Sequence, residues 1–118
     1  MEQEGERMTY HFLKIEPRWF NLIITRKKSF EIRKDDRGFH ALDRLVLMEY
    51  HDGHYTGRFA IVMVRLLVTH DMFPDGIKRG YCVMGIEKDI HPSDLLISWV
   101  FKAAREQGIN TDLLEVQL

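Results

Sequence analysis

Cysteine is almost absent from this 118-residue chain, with Cys82 the single thiol. It cannot form an internal bridge, so a disulfide-stapled scaffold is excluded, and Cys82 is expected as a small buried hydrophobe in a reducing compartment. Long apolar runs are missing too. The longest, Phe59 to Val68, is interrupted by Arg65 and is far short of the roughly 18 residues that suggest a membrane span. There is no excess of one charge: 17 basic and 18 acidic side chains give a net charge of −1, so whole-chain charge does not mark a nucleic-acid binder. A glycine-rich phosphate loop, zinc-type Cys/His spacing and a Ser/His/Asp pattern are not found either. The first seven residues carry Glu2, Glu4 and Glu6 but no apolar stretch, which excludes a signal peptide within them and predicts a flexible tail over 1–8 and a cytoplasmic protein.

What is present is enough for one domain. At 14.0 kDa and 45% hydrophobic residues, the chain can bury roughly two-thirds of its unfolded surface without a metal or cross-link. Thr9 to Ile15 reads as a strand, and Pro17 to Thr25 as a short helix with proline in its first turn. Ser29 to Lys34 alternates, with Phe30 and Ile32 on one face and Glu31 and Arg33 on the other. Asp35-Asp36-Arg37-Gly38 is turn chemistry. Arg44 to Tyr50 is a nearly continuous apolar strand, Asp52-Gly53 is a strong hairpin signal, and Tyr55 to Thr69 returns as a strand long enough to need a bulge or a sharp bend. Arg79 to Lys88 is a further strand. His91-Pro92-Ser93-Asp94 opens a helix whose stripe of Leu95, Leu96, Trp99, Val100 and Ala103 packs on the sheet or, alternatively, seams a dimer; Gly108 ends it.

The short turns predict an α+β fold: a small, mainly antiparallel β-barrel with a short helix after the first strand and an extra C-terminal helix. Its domain spans 9–90, with a helical extension over 91–118.

Charge is distributed unevenly. Between Lys14 and Arg44 stand nine basic and five acidic side chains, a local +4 against −5 for the rest, so one face of a neutral protein can hold a phosphate or a short strand. Within it, Lys28, Glu31 and Arg33 offer a mobile point charge, an acceptor and a planar fork. Alternation predicts that Phe30 and Ile32 anchor in the core while Glu31 and Arg33 face a ligand; Lys28 joins them only from the turn before the strand. The alternative is an ordinary same-face ion pair, worth at most about 1 kcal/mol when exposed. Lys14 and Arg37 are peripheral cations, and Trp19 and Phe39 are the expected stacking platforms for bases. His51 and His54 lack an evident third ligand, so no metal and no cofactor is expected. His11 is expected to be hydrogen-bonded and structural.

His11-Phe12-Leu13-Lys14-Ile15, the Lys28-x-x-Glu31-x-Arg33 stretch, the Asp35-Asp36-Arg37-Gly38-Phe39 turn, Asp43-Arg44-Leu45, Glu49-Tyr50, Tyr55-Thr56-Gly57 and Gly80-Tyr81 together resemble the ASCH domain. This is a branch of the PUA-like superfamily, and the similarity is to small bacterial and phage members of uncharacterised function over about Tyr10 to Lys88. The resemblance implies a PUA-like barrel whose cleft, lined by Lys28, Glu31 and Arg33, binds RNA or a modified nucleotide. Arg26 stands where the motif glycine would be, and the C-terminal helix has no counterpart in the minimal domain. Some relatives look like amidohydrolases of modified nucleosides that use a threonine nucleophile, and others like ribonucleases. Glu31 occupies that threonine's place, so an enzyme here would use Lys28 and Glu31 as an acid-base pair. A third reading is a protein-interaction module, or a homo-oligomer, built on the C-terminal helix.

Overall fold

The computed structural model describes residues 9–88, 94–111 and 114–117. The expected tail over 1–8 and the helix-start residues His91, Pro92 and Ser93 lie outside the described residues, as do the side chains of Leu95 and Leu96. In chain order the elements are β1 (Tyr10–Ile15), α1 (Pro17–Ile24), β2 (Phe30–Lys34), β3 (Arg44–His51), β4 (His54–Thr69), β5 (Tyr81–Lys88), α2 (Asp94–Glu106) and β6 (Glu115–Val116). The strands form one curled half-barrel sheet in the order β1-β3-β4-β5-β2, with β6 beside β4.

Pairing is mostly antiparallel, as expected, but β1 runs parallel to β3 and β6 parallel to β4. The first parallel pair follows from the connection: α1 and β2 intervene, so the chain returns to β1 from the same end. No β1–β2 pairing closes the barrel among the described residues, and the sheet keeps two edges. The Asp52-Gly53 hairpin turns with both residues at positive φ, 54° and 82°, the geometry that matches strand twist. β4 is 16 residues long and, as its length requires, shifts register between Val64 and Leu66.

Both faces of the central strands are covered, which explains the unbroken apolar run of β3. Leu45 and Leu47 point into the concave face with Phe20 and Ile23 of α1, Val62 and Val64 of β4, and Cys82 and Met84 of β5. Val46 and Met48 point the other way, against Phe59 and Ile61 of β4 and Val100 and Ala104 of α2. The expected helix stripe is therefore shifted. Ala104 is fully buried, whereas Trp99 is half-exposed and packs its ring on Tyr10 at 4.5 Å. Cys82 is buried, and burial first, then the carboxylates of Asp35 and Asp36, push its thiol up to about 11.

Two expectations are overturned. Phe39 is no platform: only 3% exposed, it joins the concave core and meets the His11 ring edge-on at 4.8 Å. Gly38, at φ 66°, turns the chain back over that core, a direction that proximity to basic residues does not reveal. The faces of β2 are also reversed. Glu31 is buried opposite Met84, while Phe30 and Ile32, opposite Gly85 and Val83, are 43% and 57% exposed. Alternation sorts side chains into two faces without fixing which one turns inward.

Candidate functional site

The site begins with the way α1 ends. Thr25 caps the helix and Arg26 takes left-handed backbone at φ 64°. The amide of Arg26 then donates to the Ile23 carbonyl at 2.9 Å, and those of Lys27 and Lys28 to the Leu22 carbonyl at 2.8 and 2.9 Å. This is the doubly bonded helix end at which glycine is the usual left-handed residue. The chain reverses tightly here, and Lys28 lies in the turn before β2, as its parity requires.

From that turn Lys28 Nζ donates to Glu31 Oε1 at 2.5 Å and to the Phe30 carbonyl at 2.6 Å. Arg33 Nε donates to Glu31 Oε2 at 2.8 Å. A buried carboxylate loses its hydration, and donors on both oxygens replace it. Both Glu31 oxygens accept from side chains of the protein, so it orients Lys28 and Arg33, and it also lines the cavity they face.

The two cations open onto a cavity of about 690 Å³. Lys14, Lys27, Lys28 and Arg33 supply positive charge to it and Glu16 and Glu31 negative charge, while Trp19, Leu22, Phe30 and Ile32 supply apolar wall. Trp19 is 36% exposed, with the Arg18 guanidinium 4.2 Å from its ring centre and Lys28 Nζ at 5.7 Å. Lys14 projects from the β1 edge and sits over the Tyr50 ring at 4.3 Å. The structure thus gathers Lys14, Trp19, Lys28, Glu31 and Arg33. Arg37 and Phe39 instead line an adjoining cavity of about 540 Å³ that also includes Lys14, Ile32 and Arg33.

A second charged cluster escaped the sequence reading. Glu49, at the end of the apolar run of β3, is only 4% exposed. Arg58 of β4 donates to it twice, Nε to Oε1 at 3.0 Å and a terminal nitrogen to Oε2 at 2.7 Å, and Thr56 Oγ1 donates to Oε1 at 2.6 Å. Arg58 also reaches Asn21 Oδ1 of α1 at 3.0 Å. The Arg58 hydrogen bonds hold the Glu49 carboxyl below its usual 4.5 against the opposing effect of burial, helped by Thr56, the Arg58 charge and His51. The available signal was a carboxylate within an apolar strand, which has to find a partner inside.

His11 is structural, as expected: its Nε2 lies 2.8 Å from Asp43 Oδ2, an oxygen that also accepts from the His40 amide at 2.9 Å. Among the described residues, no helix is long and apolar enough to cross a membrane.

Residues 10–86 match the model of a family described as a domain of unknown function (DUF3850). Over 48 residues the chain is 40% identical to an uncharacterized 12.9 kDa protein in the GpA 3′ region of Escherichia phage P2. That match takes in 41% of this chain and 44% of the phage protein, less than half of either.

Proposed function

The chain belongs to the DUF3850 family, and from its own geometry we propose that it is an ASCH-type, PUA-like cytoplasmic module that binds RNA or a modified nucleotide in the cavity beside β2. The observation that carries this reading is that one cavity combines four cations, Lys14, Lys27, Lys28 and Arg33, outnumbering the carboxylates of Glu16 and Glu31, with an aromatic and aliphatic wall of Trp19, Phe30 and Ile32. Its volume is that of a small-molecule site. Such a pairing suits a nucleotide, whose base stacks on an aromatic face while its phosphate meets fixed cations. Arg33 offers the remainder of its planar fork to phosphate, and Lys28 a point charge, both steadied by Glu31.

Fluorescence anisotropy of a labelled, mixed-sequence single-stranded RNA octamer tests the reading at low and near-physiological salt. The expected result is micromolar or tighter binding that weakens with salt and drops about tenfold in Arg33→Ala, the loss of about 1.4 kcal/mol expected for a charge-assisted contact. Unchanged affinity in a folded Arg33→Ala overturns the site.

The enzyme alternative draws on one contact, the 2.5 Å Lys28–Glu31 pair at the cavity wall. Cleavage of the octamer during the titration, lost in Glu31→Gln, would move the assignment from binding module to ribonuclease.

A further inference from the structure

The central cavity does not stand alone. It shares Lys14, Ile32 and Arg33 with the 540 Å³ cavity beyond the C-terminal end of β2, whose lining includes Lys34, Arg37 and Tyr81 together with one acid, Asp36. It shares Lys28 with a third cavity of about 300 Å³ at the opposite end, where Arg26, Ser29, Arg65 and Lys88 gather. Common lining residues make the three cavities neighbours, and the direction of β2 sets their order: Arg26 and Lys88, then Lys28, then Arg33 and Lys14, then Arg37.

Each end has its own sign of an anion-holding surface. At the Arg26 end, one cavity brings together three cations, Arg26, Arg65 and Lys88. The Lys88 ammonium is held below its usual range by burial and by the neighbouring Arg26 charge; the acid in that cavity, Glu87, already pairs with Arg65 at 3.3 Å. At the Arg37 end, Tyr81 presents a ring with the Lys78 ammonium 5.3 Å from its centre, a second aromatic surface set apart from Trp19. Cations spaced along a groove with aromatic rings between them are the pattern that holds a single strand by backbone and bases together.

We propose that the ligand is a single-stranded RNA of at least three nucleotides lying along β2, its phosphates distributed over the Arg26–Lys88, Lys28–Arg33 and Arg37 positions, and not a free mononucleotide. This rests on the RNA reading of the central cavity and extends it to both flanks.

The test uses the labelled RNA octamer, with unlabelled 5′-AMP and a trinucleotide of RNA as competitors, on wild type, Arg37→Ala, Lys88→Ala and Arg105→Ala. Thermal unfolding confirms that each variant is folded. The trinucleotide is expected to displace the octamer at concentrations at least tenfold lower than 5′-AMP requires. Arg37→Ala and Lys88→Ala should each weaken octamer binding threefold or more and make it less steeply dependent on salt. Arg105→Ala, on α2 in a separate cavity with Ile97, Ser98 and Phe101, should leave affinity unchanged. If 5′-AMP competes as well as the trinucleotide, or if neither flank variant alters octamer binding while Arg33→Ala does, the extended track is wrong and the central site stands. If the folded wild type binds none of the three, both readings fall.

Discussion

Glu31 and Glu49 are both 4% exposed strand residues and both accept from an arginine, yet their surroundings differ. Arg58 turns its fork fully onto Glu49 and spends a remaining donor on Asn21, so that cluster ties α1 to β3 and β4. Arg33 gives Glu31 one hydrogen bond through Nε and faces a cavity. The first arrangement closes on itself. The second leaves cationic groups positioned, partly desolvated and open to a ligand, the condition under which electrostatic binding is strongest.

The comparison fails first if the two arginines matter equally for folding. Arg58→Ala strands the buried Glu49 carboxylate with Thr56 alone and is expected to cost about 2–3 kcal/mol in urea unfolding, somewhat below the loss for a fully buried pair because Arg58 is partly exposed. Arg33→Ala leaves Glu31 with Lys28 and should cost about 1 kcal/mol. Binding should show the opposite ranking: about 1.4 kcal/mol of octamer affinity lost in Arg33→Ala, and none in folded Arg58→Ala.

Acid probes the Glu49 cluster directly. Because the Glu49 carboxyl is held below 4.5 in the folded protein, the unfolded chain takes up its proton at a higher pH than the folded one. Its stabilising contribution is therefore complete above about 4.5 and disappears as the pH falls through the lower folded value. Urea midpoints measured from pH 6 down to pH 2 should fall less steeply in Glu49→Gln than in wild type. An equally steep fall would show that the cluster does not govern acid sensitivity.

The smallest effect concerns the turn that presents Lys28. Arg26→Gly removes a side chain from left-handed backbone and should raise stability by up to about 1 kcal/mol, measurable as a higher urea midpoint. A loss of stability would mean that the Arg26 side chain contributes contacts outweighing its backbone strain.

Much of this frame was legible in the sequence because local chemistry decides it. The Asp52-Gly53 hairpin, Pro17 opening α1 and the bulge demanded by β4 each depend on residues within a few positions. The Lys28–Glu31–Arg33 triad was visible as a motif, and its members do meet. What sequence left open depends on long-range placement. Which face of β2 turns inward depends on donors arriving from a turn and a neighbouring side chain to satisfy Glu31. The burial of Phe39 depends on where Gly38 sends the chain, and the parallel β1–β3 pair on a topology that no short window contains. Arg58 and Glu49 lie nine positions apart in sequence, and only the β3–β4 hairpin brings them together.

The uncompleted barrel has a cost of its own. Among the described residues each outer strand, β1 and β2, carries a row of backbone donors and acceptors with no neighbouring strand on one side, and such rows invite strands from other molecules. Lys14 on one edge and Arg33 and Lys34 on the other place charges where an intruding strand would have to lie, a common defence against aggregation. The residues proposed to hold RNA thus also guard the sheet edges, and neutralising all three at once should make the protein self-associate more readily than wild type, as read by light scattering.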